Sequence, residues 1–281
     1  MRCQKSEQRA TSNEIEAMPY LHSAGVEIHY VDWGAEEAAE TILFVHGSFA
    51  SSRWWQPVLK RLPQQFRAIV PDLRGCGRSG RPAEQDAYAI PRQAADLLAL
   101  TEELNLWDFH LVAHSFGGAI AMQFALDAPD RLRSLVLVST APAEGVITPK
   151  EVYTYLERMQ DDRGLLVKAL ASLMPGHPLD AFFQQLVNDA QSMAPAAFTA
   201  NARALGDWNI ASRVRELRVP TLFIWGDQDI IVGREAIEHT FLGVLGAHRL
   251  EVFRQVGHVP FLERPDAFVE SLLTFIQEDV S

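Results

Sequence analysis

Short, uninterrupted apolar runs recur along this chain of 281 residues and alternate with segments of helical pattern. The clearest runs cover residues 41–45, 109–113, 135–138 and 221–225. Strands that are apolar on both faces are typical of parallel sheets, in which helices cover both sides. The repeated alternation predicts a doubly wound α/β fold, and such folds bind ligands beyond the carboxyl ends of their strands.

Weaker segments complete a predicted sheet of eight mostly parallel strands. Residues 20–22 and 26–31, separated by Gly25, predict an opening β-hairpin. Two further strands are expected at residues 67–70 and 248–253. Helices are expected over about residues 52–62, 91–104, 116–127, 233–242 and 265–278.

The alternation stops over residues 141–212, where prolines interrupt sequence of helical pattern and no buried strand is evident. We expect this stretch to form a helical cap, inserted into an α/β core that comprises residues 19–140 and 213–281. A cap at this point of the chain would cover the carboxyl ends of the strands. Residues 1–18 are polar and are expected to form a flexible N-terminal tail.

Composition argues against several classes of function. The formal net charge is -11 and no Lys/Arg-rich stripe is present, so a nucleic-acid partner is not expected. No run approaches the ~18 apolar residues that a membrane span needs, and the first residues lack the apolar core of a secretory signal. Cys3 and Cys76 have no metal-ligand spacing and are not expected to pair. We expect a cytoplasmic protein, monomeric or homodimeric.

The segment Ala113-His114-Ser115-Phe116-Gly117 joins a predicted strand to a predicted helix rich in small residues. A sharp turn here would lift Ser115 above the sheet edge and direct the helix N-terminus towards it, which favours negative charge nearby. Such turns are strained and need small flanking residues. Ala113 stands where the Gly-x-Ser-x-Gly pattern has its first glycine, and adds one methyl group. The setting predicts that Ser115 is a nucleophile.

A serine hydroxyl needs a neighbouring base, and histidine accepts and returns a proton near neutrality. Of the nine histidines, His258 is favoured because it follows the last strand and precedes the last helix, at the sheet edge predicted for Ser115. A carboxylate must orient this base. Asp229 is favoured over Asp227 because it lies farther into the loop after residues 221–225, and Glu144 is a third choice.

The oxyanion of an acyl-transfer reaction needs fixed donors. The backbone N–H groups of Phe116 and of Ser48, which follows His46-Gly47 after a buried strand, are predicted to supply them. Apolar and aromatic residues near this loop and in the predicted cap are expected to contact substrate. They are Phe49, Trp54, His114, Met174, Phe183 and Trp208.

The chain resembles the capped α/β-hydrolase superfamily, in its esterase- and lipase-like branch, over about residues 20–278. Besides the Ser115 turn, the segments that carry the resemblance are His46-Gly47 with Trp55, Pro71 to Ser79, Gly226 to Asp229, and Gly257-His258 followed by Glu263-Arg264-Pro265. The resemblance implies a Ser-His-Asp hydrolase that needs neither a metal nor an organic cofactor. It also implies structural roles for Asp72, Arg74 and Glu263.

Serine at position 115 disfavours the epoxide hydrolase and haloalkane dehalogenase branches, which use aspartate. The preferred substrate is a small-molecule carboxylic ester or lactone with a small to medium, largely apolar acyl group. Two alternatives stay open. One is a carbon–carbon bond hydrolase, in which Arg203 and Asn201 would hold a substrate carboxylate. The other is a ligand receptor on the same fold.

Overall fold

The computed structural model describes residues 19–279 and contains one eight-stranded sheet in the order β1-β2-β4-β3-β5-β6-β7-β8. The strands are β1 (Tyr20–Ser23), β2 (Val26–Trp33), β3 (Glu40–Val45), β4 (Phe66–Pro71), β5 (Phe109–His114), β6 (Leu132–Val138), β7 (Thr221–Gly226) and β8 (Ala247–Phe253). β2 pairs antiparallel with β1 and β4, whereas all other neighbours are parallel. The predicted doubly wound, mostly parallel sheet is confirmed. The predicted tail and Cys3 lie outside the described residues.

Helices connect the parallel strands. They are α1 (Gln56–Leu59), α2 (Ile90–Glu103), α3 (Phe116–Asp127), α4 (Lys150–Asp161), α5 (Arg163–Leu173), α6 (Ala181–Gln191), α7 (Ala197–Asp207), α8 (Arg234–Gly243), α9 (Pro260–Glu263) and α10 (Pro265–Thr274). A π-helical turn, Phe275–Asp279, follows α10. No helix within residues 19–279 has the length and apolar character needed to cross a membrane.

The helix expected over residues 52–62 is shorter than predicted. A 3-10 turn, Ser52–Trp55, precedes the four residues of α1. Beyond α1 the N–H groups of Arg61 and Leu62 bond to carbonyls three residues back, and Pro63 follows directly. A residue before proline is disfavoured in the α conformation, which explains why the helix stops.

The sheet separates two apolar cores, and the central strands contribute to both. Ile42 and Phe44 of β3 pack into the core with α1 and α10, whereas Leu43 and Val45 pack into the core with α2 and α3. Successive side chains of a strand point to opposite faces, so a strand covered on both faces is apolar at most of its positions. This explains the uninterrupted apolar runs of the sequence.

The carboxyl ends of four neighbouring strands meet at one edge of the sheet. Val45 of β3 is paired with Ala113 of β5, and Val138 of β6 is paired with Ile224 of β7. The loops that follow β3, β5 and β7 therefore start at similar heights. Parallel register thus assembles residues that are far apart in the sequence.

Four helices, α4 to α7, lie between β6 and β7, where the sequence predicts an insertion. Most of their buried apolar side chains belong to the core on the α1 face, including Leu170, Phe183, Leu186 and Phe198, whereas Ala204 of α7 packs into the other core. Polar contacts add to this packing, because Asp189 of α6 accepts hydrogen bonds from Ser51 Oγ at 2.6 Å and Arg53 Nε at 2.8 Å. The division into a core (19–140 and 213–281) and a cap (141–212) stays a prediction.

A buried ion pair fixes the loop after β4. The Arg74 guanidinium donates two parallel hydrogen bonds to the Asp96 carboxylate, at 2.7 and 2.8 Å, and a third to the Ala87 carbonyl. Ser23 also donates to Asp96. The two ionic side chains are only 2% and 5% exposed. Because neither charge reaches water, each depends on the other for solvation.

We predict that Arg74→Met lowers the free energy of unfolding by about 3–5 kcal/mol, because it leaves the Asp96 carboxylate buried without its partner. Urea unfolding measures the change. Arg61→Met is the matched control, since Arg61 pairs with Asp266 at the surface and its loss should change stability little. Equal effects of the two substitutions would contradict the assignment of Arg74 as the buried structural cation.

Candidate active site

The chain reverses sharply between β5 and α3, and Ser115 is the residue at the turn. Its φ of 53° and ψ of -119° lie in a region that non-glycine residues rarely occupy, at a cost of order 1–3 kcal/mol. Hydrogen bonds hold this conformation. The Ser115 N–H donates to the Val138 carbonyl, and the Ser115 carbonyl accepts from the N–H groups of Gly118 and Ala141. The hydroxyl is thereby presented above the sheet edge.

Small residues let the backbones around Ser115 approach one another closely. A methyl group on Gly117 would collide with the His46 carbonyl oxygen, and one on Gly118 would collide with the Thr140 side chain. Ala113, where the motif has glycine, is fully buried within β5. The methyl group of Ala113 is therefore accommodated in the core beneath the turn.

The structure brings Ser115, His258 and Asp229 together in one hydrogen-bonded chain. His258 Nε2 lies 2.8 Å from Ser115 Oγ, and His258 Nδ1 lies 2.8 Å from Asp229 Oδ2. A carboxylate only accepts, so Nδ1 carries the proton and Nε2 is free to accept from the serine hydroxyl. The side chains of His258 and Asp229 are 3% and 0% exposed, so water cannot compete for the bond between them.

Asp229 is held as a carboxylate from both sides. Its Oδ1 accepts hydrogen bonds from the N–H groups of Ile231 and Val232, at 2.8 and 3.0 Å, while Oδ2 contacts His258. Burial alone would raise the pKa of Asp229, but these bonds and the charge of His258 outweigh it and lower the pKa below its usual value. Asp227 accepts instead from the Gln255 N–H and does not contact His258.

The backbone of His258 is also fixed. Its N–H donates a hydrogen bond of 2.7 Å to the Leu173 carbonyl at the end of α5. Its neighbour Gly257 donates to Glu263 Oε1, and Glu263 Oε2 accepts from the Gly176 N–H. Burial raises the pKa of Glu263 even though these two amides oppose the shift. The loop that carries His258 is thus joined to the segment between β6 and β7 by one direct hydrogen bond, to Leu173, and by a bridge through Glu263 to Gly176.

Two backbone N–H groups near Ser115 have no hydrogen-bond acceptor among the described residues. Within residues 19–279, neither the Ser48 nor the Phe116 amide donates a hydrogen bond. His46 orients the first of them. The Leu73 N–H donates to His46 Nε2, so the His46 proton sits on Nδ1 and is donated to the Gly47 carbonyl at 2.8 Å. That carbonyl belongs to the same peptide group as the Ser48 N–H, whose direction is thereby set.

Of the predicted pocket residues, Phe49 and Trp54 lie near this turn, whereas Met174 and Phe183 are placed by their burial in the core on the α1 face. Phe49, at φ 60°, packs edge-to-face on Phe198 of α7 with ring centroids 5.5 Å apart. Trp54 and Met174 are each 1% exposed and Phe183 is fully buried, all within the core on the α1 face. Met174 directly follows Leu173, whose carbonyl contacts His258. Phe198 lies beside Phe49 because α7 packs there, and no sequence motif marked it. We call Phe49, Trp54 and Phe198 the apolar wall.

Two of the predicted substrate contacts, Trp208 and His114, have other partners in the structure and stay predictions. Trp208 belongs to the opposite core, and its indole N–H donates to Gln123, eight residues or about 12 Å along α3 from Ser115. It borders a groove of about 550 Å³ on that side of the molecule and does not line the Ser115 turn. His114 is 2% exposed and its Nε2 contacts the His258 carbonyl, so its side chain is occupied in the core.

Within residues 19–279 no three His, Cys, Asp or Glu side chains converge as metal ligands. Burial holds the pKa of Cys76 far above its usual range, so its thiol stays protonated. Glu144, the third choice for the carboxylate that orients the base, pairs with His239. The hydrogen-bonded partner of Ser115 is therefore His258, with Asp229 behind it.

Comparison with known proteins yields relatives with stated activities. A pimeloyl-[acyl-carrier protein] methyl ester esterase of Aliivibrio salmonicida is 26% identical over 258 residues, which is 88% of this chain and 96% of the relative. The structure of a putative aryl esterase from Burkholderia cenocepacia superposes with a TM-score of 0.83 at 27% identity, covering 92% of this chain and 98% of the other. Est816, described as an N-acyl homoserine lactone degrading enzyme, gives 0.77 at 28% identity, covering 92% and 100%.

A family model described as the alpha/beta hydrolase fold matches residues 40–265, which include the Ser115 turn and the loops of Asp229 and His258. The chain belongs to the α/β-hydrolase family.

Proposed function

We propose that this protein is a serine hydrolase that cleaves carboxylic esters or lactones through an acyl-enzyme on Ser115. The observation that carries the proposal is the continuous hydrogen-bonded chain from Ser115 through His258 to Asp229. A serine, a base and a carboxylate in this order provide both an activated nucleophile and a proton carrier. The relatives described as esterases support ester hydrolysis over other reactions of the fold.

The mechanism has two steps. Ser115 Oγ attacks the carbonyl carbon while His258 Nε2 takes its proton, and the amides of Ser48 and Phe116 stabilise the oxyanion. His258 then protonates the leaving alcohol, which departs and leaves the acyl group on Ser115. Water then enters, gives a proton to His258 and attacks the acyl carbon, and His258 returns that proton to Ser115 Oγ as the acid is released. Asp229 stabilises the imidazolium in both steps without becoming protonated.

The apolar surroundings of the turn support a small or medium uncharged acyl group. Phe49, Phe198 and Trp54 offer no charge to a bound carboxylate. The carbon–carbon hydrolase alternative has less support, because Arg203 stacks on Tyr153 and borders the groove that contains Trp208. A receptor without turnover is the alternative that the Ser115 experiment tests.

We predict that the wild-type protein turns over p-nitrophenyl acetate and butyrate and that a fluorophosphonate probe labels Ser115. Ser115→Ala should lose labelling and nearly all turnover. Without the nucleophile, only the small acceleration from the oxyanion donors remains. Mass spectrometry of the labelled peptide and initial rates measure this. Ser139→Ala is the matched control at the end of the neighbouring strand and should keep both. Wild-type protein that neither labels nor hydrolyses an ester or lactone would favour the receptor.

The choice of acid gives a second prediction. Asp229→Asn should reduce kcat by about 10⁴-fold, because the amide cannot hold the His258 tautomer. Asp227→Asn, two residues earlier in the same loop, should reduce it far less, since Asp227 only contacts the Gln255 amide. Comparable losses in both variants would show that the loop, and not the carboxylate of Asp229, sets the rate.

The stability of Asp229→Asn at different pH values supplies a check that needs no substrate. The pKa of Asp229 is lowered by folding, so its ionised form stabilises the protein above the unfolded value of about 3.9, and this contribution is lost as pH falls through the folded pKa. Asp229→Asn should therefore be less stable than the wild type near pH 7, with the gap closing below about pH 4. Urea unfolding at a series of pH values measures the gap.

The apolar wall predicts chain-length preference. Phe198→Ala should shift kcat/KM from short towards longer p-nitrophenyl esters, changing the hexanoate-to-acetate ratio about tenfold, because the removed ring opens space beside Phe49. Phe182→Ala is the matched control, since Phe182 of α6 contacts His177 and not the Ser48 turn. An unchanged ratio in Phe198→Ala would remove this ring from the acyl site.

A further inference from the structure

The histidine next to the nucleophile makes a contact that the proposed reaction does not explain. His114 is 2% exposed, and its Nε2 lies 3.0 Å from the backbone carbonyl oxygen of His258. We propose that His114 is a positioning residue, which locks the backbone of the base to the strand that carries the nucleophile. The inference rests on the proposed serine hydrolase function.

The direction of the hydrogen bond follows from its partners. A carbonyl oxygen only accepts, so His114 Nε2 carries a proton and donates it. The other ring nitrogen, Nδ1, is buried without a hydrogen-bond partner among the described residues, and a Cβ on Gly47 would lie 2.9 Å from it. A second proton on Nδ1 would thus have no acceptor. His114 is confined to the tautomer that donates to His258.

The His114 ring also stays neutral while His258 gains and loses a proton in the proposed reaction. Burial, and after it the charge of His258, hold the pKa of His114 well below its usual value, although the His258 carbonyl and Asp229 oppose the shift. His114 cannot compete for the proton that His258 takes from Ser115. It supplies a permanent donor and leaves the acid–base chemistry to His258.

Aromatic packing leaves the His114 ring little freedom to turn. Trp54 stacks on it with ring centroids 6.3 Å apart, and Phe261 meets it edge-to-face at 5.1 Å. The His258 ring lies 4.8 Å from it. Gly47 lies against its Nδ1 edge. A ring held by neighbours around it presents its N–H in one direction only.

This contact provides a short path between nucleophile and base. Ser115 follows His114 directly in the chain, so the hydroxyl and the His258 backbone are linked through one residue and one hydrogen bond. Leu173 accepts from the His258 N–H and Asp229 accepts from its Nδ1, but Leu173 lies at the end of α5 and Asp229 in the loop after β7. The bond from His114 is the one that ties His258 to the strand of Ser115 itself.

His114→Phe keeps the ring and removes the donor. We expect this variant to stay folded with a modest loss of thermal stability, because the His258 carbonyl loses its donor, while kcat for p-nitrophenyl acetate falls about 10- to 100-fold at constant KM. His114→Gln places an amide N–H near the position of Nε2 and should recover most of the lost kcat. A simple packing role would instead make activity follow stability, with Phe better than Gln.

His110→Phe is the matched control. His110 is a buried histidine of the same strand, bonded to Ser134 and Glu40 at the opposite end from Ser115. Its replacement should lower the melting temperature and leave kcat unchanged. A folded His114→Phe protein with kcat within twofold of the wild type, or a Gln variant no better than Phe, would overturn the proposal.

A readout without substrate separates this inference from the proposed function. The Nδ1–H proton of His258, shared with Asp229, should give a low-field NMR resonance that broadens or disappears in His114→Phe and persists in His114→Gln. If the wild type hydrolyses no ester yet shows this pattern, the proposed function fails and the positioning role stands. If esters are hydrolysed and the resonance is the same in all variants, the positioning role fails alone.

Discussion

The strained backbone at Ser115 is the constraint on which the rest of the site depends. A non-glycine residue at φ 53° and ψ -119° persists only where its surroundings determine it. Here β6 supplies the Val138 carbonyl and the segment after it supplies the Ala141 amide, and Gly117 and Gly118 allow the neighbouring chains to approach. Relaxing the turn would lower the hydroxyl into the sheet and withdraw it from His258. The small residues of the motif are therefore requirements of packing.

Three buried histidines surround this turn, and their hydrogen-bond partners give them different states. His46 accepts from Leu73 and donates to Gly47, so it is fixed as a neutral donor and acceptor. His114 donates to a carbonyl and has no acceptor for a second proton. Of these three rings, only that of His258 has a carboxylate on one nitrogen and a hydroxyl on the other. The proposed proton transfer is assigned to this ring because the other two cannot be protonated without an unpaired buried N–H.

The sequence predicts what depends on the backbone and misses what depends on packing between distant elements. The bounds of α3, 116–127, follow from a small-residue helix after a buried strand, and agree with the structure. Asp229 and His258 could be placed because parallel strands end at one edge. Trp208 could not, since only the packing of α7 on α3 decides that its indole contacts Gln123. The partner of His114 is 144 positions away and no local pattern marks it.

The same division explains how α4 to α7 can affect the reaction as well as the choice of substrate. The helices supply apolar side chains such as Phe198 to the turn, yet the Leu173 carbonyl also holds the His258 N–H, and Glu263 joins Gly176 to Gly257. A change in their packing that moves the end of α5 therefore pulls on the base. The bond from His114 opposes that pull from the sheet side. In the proposed reaction, side chains that contact only the acyl group would affect the choice of substrate, whereas the backbone near Leu173 also holds His258 within reach of Ser115.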